Sequence, residues 1–445
     1  MGILLVELRR TLALALPIIV AQVGQMLIGI TDSAMIGRLG TVPLAAAAFT
    51  NGVFGVFFIA GIGMLSPVGV FTARDHGAGD LAGCAAWLKH GRVVAIGFGL
   101  VAFGLLAVIA FQLHRFGQPP EVLAITPPFF LLIAASLVPT LFFQVQRQFA
   151  ESLGHPWIPM TIMLADVGLN ALLNWIFIWG GLGIPALGLV GAGVATLVAR
   201  SVAVVALALW LKLDPSLHEI RSAPGESWSQ KRFGALVTMG FPVAGSLIFE
   251  SGAFAAAALM MGWLGATALA AHQVALSCAS FTFMFPLGLS IAVSMRASKA
   301  LGAGRGDLLR PIGFGGLGVA TLLSVGFALT FALAGGPLAR GFSHDPAVTS
   351  LASRLLMIAA IFQVFDAAQV VGSGALRGLT DVRVPTVLTF VAYWVLALPA
   401  GYLLAFRGGF GPAGIWSGLA LGLACAAILL WLRFDRRTRA AQGVG

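Results

Sequence analysis

The sequence predicts an all-α integral membrane protein with twelve transmembrane helices, on two observations. First, 59% of the 445 residues are hydrophobic and only 9% are charged, whereas soluble globular proteins carry about 25% charged residues. Second, apolar runs of about 20 residues recur along the whole chain, which is the length that a helix needs to cross the hydrocarbon core. Transmembrane β-strands are shorter, about ten residues, and alternate in polarity, a pattern that we do not find.

The twelve predicted spans follow one another from the N-terminus to the C-terminus. The first is preceded by Arg9 and Arg10 and is too long for the core of a signal peptide, so we expect it to be a membrane span. Because the number of spans is even, both termini are expected on the same side of the membrane. The predicted spans are residues 11–37, 46–72, 93–113, 123–146, 158–180, 188–211, 236–263, 268–295, 312–334, 348–373, 385–406 and 412–433.

The distribution of basic residues predicts which side that is. Twenty Lys and Arg residues lie at the termini and in the even-numbered loops, against four in the odd-numbered loops, so the positive-inside rule places both termini in the cytoplasm. The other two, Arg200 and Arg354, are expected near helix ends with snorkelling side chains. This topology accounts for the net charge of +10, and no nucleic-acid partner is needed to explain it.

The two halves of the chain are related by a repeat. Pro17 matches Pro242 at an offset of 225 residues, and Pro159 matches Pro385 at an offset of 226. A polar connector near residues 213–235 separates six spans from six, so we divide the chain into an N-terminal lobe, residues 1–220, and a C-terminal lobe, residues 221–445. An even repeat relates the two six-helix bundles by an axis along the membrane normal.

Four carboxylates lie inside the apolar stretches: Asp32, Asp166, Glu250 and Asp366. A charged group at the centre of a membrane helix costs roughly 2.5 to 3.5 kcal/mol on insertion scales, and these spans contain almost no basic residue as a partner. Such carboxylates leave a place for a cation from outside the protein, which is typical of a transport pathway. They do not follow the repeat, since Glu250 falls opposite Gln25.

Polar residues extend these sites into stripes on helix faces. Side chains spaced by three or four residues share one face of a helix, and in lipid that face must point at protein or at water. The alternative is that these amides and carboxylates only hold helices together. The stripes are Asp166, Asn170 and Asn174; Gln363, Asp366 and Gln369; and Gln22, Gln25 and Asp32.

The same sequence gives no support for an enzyme or for a bound cofactor. It has no phosphate-binding GxxxxGK[ST] motif, so ATP is not expected as the energy source. Three cysteines, Cys84, Cys278 and Cys425, are far apart and lack the spacing of metal ligands or of a disulfide framework. We expect buried thiols and no metal cofactor.

These motifs together resemble the multidrug and toxic compound extrusion (MATE) family, in particular its NorM-like branch, across all twelve spans. The resemblance implies that the chain is a member of the multidrug/oligosaccharidyl-lipid/polysaccharide flippase superfamily. The resemblance rests on residues 31–37 (TDSAMIG), 170–174 (NALLN), 241–250 (from FP to FE), 270–273 (AAHQ), 362–366 (FQVFD), 374–378 (GALRG) and 384–385 (VP).

The resemblance implies a secondary active exporter, a monomer in the plasma (inner) membrane of a bacterium. It exchanges cytoplasmic drugs, often organic cations, for external H+ or Na+ by alternating access. Glu250 and Asp366 would bind the coupling cation, with Phe362, Gln363 and Gln273 as supporting residues. The N-terminal cavity would be formed by Asp32, Gln25, Asn170, Asn174 and Asp166.

Two departures from the family pattern bear on the coupling ion. NorM-like proteins commonly carry Tyr where this chain has Phe362, and another branch carries Asp where it has Asn174. Because Na+ needs several oxygen ligands, the missing phenol slightly favours protons. The alternative function is a flippase for a lipid-linked or polysaccharide precursor, whose cleft would be expected to carry Arg or Lys. An ion channel would instead show a continuous pore.

Overall fold

The structure, a computed structural model, describes residues 2–181, 183–223 and 227–442. Within these residues, twelve helices are long and apolar enough to cross a membrane, which confirms the predicted fold class and number of spans. Spans 1 to 12, in chain order, are Leu4–Gly37, Thr41–Ala78, Leu81–Phe111, Pro120–Ser152, Trp157–Trp179, Gly188–Leu213, Gln230–Trp263, Ala266–Gly302, Gly306–Phe342, Pro346–Gly378, Arg383–Arg407 and Pro412–Ala440.

Several spans extend beyond the apolar runs that predicted them. Span 4, for example, continues to Ser152 instead of ending near residue 146. Polar side chains close the exposed helix ends: the Asp80 carboxylate accepts from the Gly83 amide at 2.8 Å, and the Asp345 carboxylate accepts from the Ala347 amide at 2.8 Å. These caps satisfy amide groups that have no partner within the helix, so a helix does not need to end where its apolar run ends.

Spans 2, 4 and 11 are interrupted. Span 2 breaks at Ser66, between the helices Thr41–Leu65 and Pro67–Ala78, and span 4 breaks at Ser136. Pro67 has no amide hydrogen for the carbonyl of Gly63, and the Ser66 hydroxyl donates to that carbonyl at 2.9 Å instead. Span 11 contains two π-helical segments, Val391–Ala397 and Leu403–Arg407.

The chain packs into two compact units. The N-terminal unit is Val20–Ala244, and the C-terminal unit is Gly245–Gly445 together with Met1–Ile19. The chain therefore passes between units inside span 1 and inside span 7, shortly after Pro17 and Pro242. The connector near residue 220, where the sequence analysis divided the lobes, lies within the N-terminal unit.

Each unit has its own apolar core. In the N-terminal unit Phe129, Phe130 and Leu141 are almost fully buried, and in the C-terminal unit Leu355 and Trp416 are fully buried. Span 10 is the most buried of the twelve spans. It packs closely on span 8, because a Cβ atom at Gly374 would lie 2.5 Å from the Ser290 carbonyl oxygen. Close packing of this kind lets a membrane helix carry polar residues away from lipid.

Candidate functional site

In the C-terminal unit, the structure brings together the carboxylates of Glu250 in span 7 and Asp366 in span 10. They lie close enough to repel each other electrostatically. Asp366 is only 6% exposed, and its Oδ1 atom has no hydrogen-bond partner. Among the described residues neither carboxylate forms an ion pair with a basic side chain. The site therefore contains two neighbouring carboxyl groups that no basic side chain of the described residues contacts directly.

Two glutamines of span 10 add amide groups on either side of Asp366. Gln363 and Gln369 are both buried, and the side-chain oxygens of both have no hydrogen-bond partner within the described ranges. A buried polar atom without a partner costs free energy. These oxygens are thus available to a cation or to a hydrogen-bond donor that enters the site.

Phe362 lies one turn before Asp366 and contributes aromatic packing. Its ring is buried edge-on against Phe254, with centroids 6.0 Å apart, and against Trp416, with centroids 5.4 Å apart. Gln273, the third predicted supporting residue, has an exposed side chain. Its neighbour His272 is buried and accepts a hydrogen bond from the Trp416 indole at 3.2 Å.

The sequence analysis missed Tyr393, which completes this group of side chains. Tyr393 lies in the π-helical segment of span 11 and is fully buried. Its hydroxyl lies close to Asp366 and within hydrogen-bonding reach of Glu250, although the geometry of the contact with Glu250 is poor. The chain contains only two tyrosines. The position of Tyr393 in the middle of a predicted span is a feature by which the sequence could have indicated a site residue.

Arg377 lies elsewhere than the sequence analysis expected. The predicted span 10 ended at residue 373, which assigned Arg377 to a cytoplasmic loop, but Arg377 lies in the last turn of span 10. From there its guanidinium interacts electrostatically with Glu250, without forming an ion pair. Basic residues are therefore not as remote from the carboxylates as the span boundaries suggested.

In the N-terminal unit, Asn174 links spans 1 and 5. Its amide nitrogen donates to Asp32 Oδ1 at 2.6 Å and to Asn170 Oδ1 at 3.2 Å. Asn170 and Asn174 are both buried, on the helix face that their spacing of four indicates. This arrangement fixes the carboxylate of Asp32 with one amide, while Asn174 Oδ1 has no partner.

Asp166 lies on the same helix, span 5. It is within electrostatic range of Arg200, which the sequence analysis expected near a helix end. Asp166 is 7% exposed, its Oδ1 atom has no hydrogen-bond partner, and it interacts electrostatically with Asp32 and with Arg200. The expectation that Arg200 snorkels from a helix end is wrong, because Arg200 lies in the middle of span 6. Its guanidinium donates to the Ser136 hydroxyl at 2.6 Å and lies over the Phe54 ring.

The two glutamines of the polar stripe of span 1, Gln22 and Gln25, lie in different environments. Gln22 accepts a hydrogen bond from Arg147 at 2.8 Å, and Arg147 forms an ion pair with Glu151 at 2.7 Å. Arg147 is 1% exposed, although the sequence analysis assigned it to a loop. Gln25 is half-buried on the same helix.

Buried carboxylates that form no ion pair among the described residues, inside a twelve-span membrane protein, are typical of a membrane transporter. The two halves then identify the family. The MatE family model matches residues 17–176 and again residues 242–403, so the chain belongs to the MATE family of transporters. The two matches begin 225 residues apart, which equals the offset of the repeat in the sequence.

Relatives at the level of sequence and of structure agree with this assignment. The chain is 37% identical to a probable multidrug resistance protein NorM of Pseudomonas putida, over 98% of this chain and 96% of that protein. It is 36% identical to the multidrug resistance protein MdtK of Cronobacter sakazakii, over 96% and 95%. The eukaryotic MATE transporter AtDTX14 has the same fold, with a TM-score of 0.87, 21% identity and 99% coverage of both chains.

Proposed function

We propose that this protein exports drugs, often organic cations, from the cytoplasm in exchange for external H+ or Na+, by alternating access in a bacterial inner membrane. The names of its relatives, NorM and MdtK multidrug resistance proteins, support multidrug efflux. The observation that carries cation coupling is the pair of a half-buried Glu250 and a buried Asp366, neighbouring carboxylates that form no ion pair within the part of the chain that the structure describes. The basic residues favour cytoplasmic termini.

The physical reason for coupling is the cost of leaving this pair charged and empty. Burial disfavours the ionised form of a carboxyl, and a second carboxylate nearby disfavours it further. The pair is stabilised when it binds a proton or a metal cation. A ligand shifts a conformational equilibrium only by its difference in affinity for the two states. The proposal is that the outward-facing state binds the cation and releases the drug, and that the cytoplasm-facing state does the reverse.

The N-terminal cluster is suited to hold the drug. Asp32 and Asp166 carry two negative charges when ionised, and Arg200 carries one positive charge within electrostatic range of both. The net charge of minus one attracts organic cations, and Asn170 and Asn174 offer amide groups for hydrogen bonds. This assignment agrees with the family positions that the sequence analysis transferred to these residues.

The test replaces each carboxyl by its amide. We expect Glu250→Gln and Asp366→Asn each to reduce gradient-driven uptake of ethidium and norfloxacin into inside-out vesicles by at least about 100-fold, because the charge that binds the cation is removed. Glu219→Gln, at an exposed residue of the connector, is the matched control and should transport normally. Normal gradient-driven transport by both site variants would refute the assigned coupling site.

The flippase alternative has one observation in its favour, which is the position of Arg200 inside the N-terminal unit. A guanidinium in the middle of a span is suited to an anionic headgroup. However, Asp32 and Asp166 outnumber it and interact with it, so the cluster as a whole favours cations. If an anionic lipid-linked sugar competed with ethidium and the cationic drug tetraphenylphosphonium did not, the flippase would be the better assignment.

A further inference from the structure

We propose that the Tyr393 hydroxyl is the neutral oxygen ligand that allows the C-terminal site to bind Na+ in addition to H+. The inference rests on the proposed function and deepens it, since it assigns a determinant of ion selectivity.

The contacts between spans 7 and 11 place Tyr393 opposite Glu250. One turn earlier, the Ser246 hydroxyl donates to the Thr389 hydroxyl at 3.2 Å. On the neighbouring residues, the Trp394 indole donates to the Phe249 carbonyl at 3.0 Å. One turn after Glu250, the ring of Phe254 lies 6.2 Å from the ring of Tyr393. These contacts bracket Glu250 from both sides, so the two side chains face each other.

The hydroxyl lies at the carboxylate pair without a well-formed hydrogen bond. Tyr393 is fully buried, and its hydroxyl is close enough to Glu250 for a hydrogen-bonding interaction, but the geometry of that contact is poor. Buried hydroxyls are nearly always hydrogen-bonded, because an unpaired one loses its interactions with water. Among the described residues, Asp366 Oδ1 and Gln363 Oε1 have no hydrogen-bond partner. A cation between these oxygens would satisfy the phenol, the amide and the carboxylates together.

The local backbone explains how Tyr393 reaches this position. Residues 391–397 form a π-helix, and π-helical turns occur frequently at functional sites. Pro399, two residues later, has no amide hydrogen and cannot form the α-helical bond to residue 395. The wider turn rotates the residues before the proline relative to a regular α-helix. Trp394 is fixed by its bond to span 7, which holds Tyr393 in register.

The number of oxygen ligands distinguishes Na+ from H+, which a carboxylate pair alone would not distinguish. A proton needs only one carboxylate oxygen. A Na+ ion is held by several oxygens at once, and neutral oxygens complete its shell without adding repulsion between negative charges. Phe362 offers no oxygen, since its ring packs on Phe254 and Trp416. Tyr393 is therefore expected to matter more for Na+ than for H+.

The experiment compares Tyr393→Phe with Tyr402→Phe in proteoliposomes. Tyr402, the only other tyrosine, lies in the same span and is 44% exposed. We expect Tyr393→Phe to raise the Na+ concentration for half-maximal ethidium export about tenfold, the effect of losing one ligand worth roughly 1.4 kcal/mol. Export driven by a pH gradient alone should fall by a clearly smaller factor. Na+-dependent thermal stabilisation of the purified protein should shift by the same factor, and Tyr402→Phe should behave as the wild type.

A second variant tests the role of the oxygen itself. Phe362→Tyr combined with Tyr393→Phe returns a phenol from span 10 and is expected to restore the response to Na+. Equal Na+ responses of Tyr393→Phe and Tyr402→Phe would overturn the proposal, and so would a defect of Tyr393→Phe that extends equally to pH-driven export. A wild type that exports with a pH gradient but ignores Na+ would overturn the inference alone. A wild type that responds to neither gradient would overturn the proposed function.

Discussion

Charged residues of this protein are stabilised in different ways, depending on what surrounds them. Arg147 and Glu151 are 1% and 2% exposed and contact each other at 2.7 Å, and Gln22 takes a second guanidinium hydrogen bond. Arg200 forms no ion pair with any described residue, and its interactions are with a hydroxyl, an aromatic ring and two carboxylates at longer range. The first arrangement is a closed ion pair in the sense that the two charges are in direct contact, although Arg147 Nη1 has no hydrogen-bond partner among the described residues. The second leaves charge that a ligand can use.

The closed pair leads to a prediction about stability. Replacing one partner leaves a buried charge unpaired, which typically costs about 3 to 5 kcal/mol. We therefore expect Glu151→Gln and Arg147→Met each to lower the thermal unfolding midpoint in detergent strongly, and the double variant Arg147→Met/Glu151→Leu to recover most of the loss. Fluorescence-detected size-exclusion chromatography after heating measures this.

The matched control for that pair is Arg305 with Asp307. This pair also has a short contact, 2.8 Å, but both side chains are 57% exposed. Exposed ion pairs contribute little to stability, so Asp307→Asn should leave the midpoint unchanged. If Glu151→Gln were as stable as Asp307→Asn, the buried pair would not stabilise the protein as predicted.

The open cluster leads to a prediction about coupling between residues. Arg200→Gln leaves Asp32 and Asp166 without a nearby positive charge and is expected to lower stability. Combining it with Asp32→Asn should cost less than the sum of the single effects, with a coupling energy of about 1 kcal/mol. Denaturation of all four proteins in one detergent gives this value directly.

A distant carboxylate provides the control for that cycle. The Ser216 hydroxyl and amide donate to Asp214 at 2.5 and 2.8 Å, and these hydrogen bonds lower the pKa of the Asp214 carboxyl. It therefore stays ionised and is satisfied locally. Arg200→Gln and Asp214→Asn should be additive, and equal coupling in both cycles would show that the Asp32 effect is not specific.

At the scale of whole helices, spans 1 and 7 are exceptional because each contributes to both units. The first crossing lies between Ile19 and Val20 and the second between Ala244 and Gly245. These points are 225 residues apart, the same offset that relates Pro17 to Pro242. A proline inside a helix removes one hydrogen bond and bends the helix easily. The repeat has thus kept a bendable position next to each crossing.

We therefore predict that the two prolines act in transport and not in stability. Proline disfavours a helix interior by about 3 kcal/mol relative to alanine, so Pro17→Ala and Pro242→Ala should not destabilise the protein. Because conformational steps often limit turnover, both are expected to slow ethidium export by about tenfold. Pro337→Ala, inside span 9 and away from either crossing, is the control. A slower Pro337→Ala, or normal export by both other variants, would contradict this prediction.

The helices also show how far sequence reasoning reaches. Apolar run length predicted all twelve spans, because membrane thickness imposes it on every helix. Residue spacing placed Asp166, Asn170 and Asn174 on one face, since the face of a residue depends on the geometry of its own helix alone. Neither apolar run length nor residue spacing shows which helix faces contact each other. Tyr393 and Arg200 were therefore not assigned to the C-terminal and N-terminal sites. Breaks at Ser66 and Ser136 shift the helix faces that follow them, and apolar run length does not reveal such breaks.

At the scale of the whole molecule, the two halves share a scaffold and differ in their polar chemistry. The family model matches both halves, and yet Glu250 corresponds to Gln25 and Asp32 to Ala257 across the repeat. The C-terminal unit holds a carboxylate pair with a phenol, and the N-terminal unit holds carboxylates with amides and a guanidinium. Duplication supplied two similar bundles, and their divergence is consistent with one unit for the coupling cation and one for the drug.

The proposed orientation of these bundles can be tested by labelling exposed positions. In a variant with Cys84, Cys278 and Cys425 replaced by serine or alanine, we would introduce one cysteine at Glu219 or at His344, both of which are exposed. The excess of basic residues on one side predicts that residue 219 lies in the cytoplasm and residue 344 outside. A membrane-impermeant maleimide should therefore label the second variant in intact cells, and the first only after the cells are opened. The reverse pattern would invert the topology and with it the direction of export, whereas the assignment of the carboxylate sites would not change.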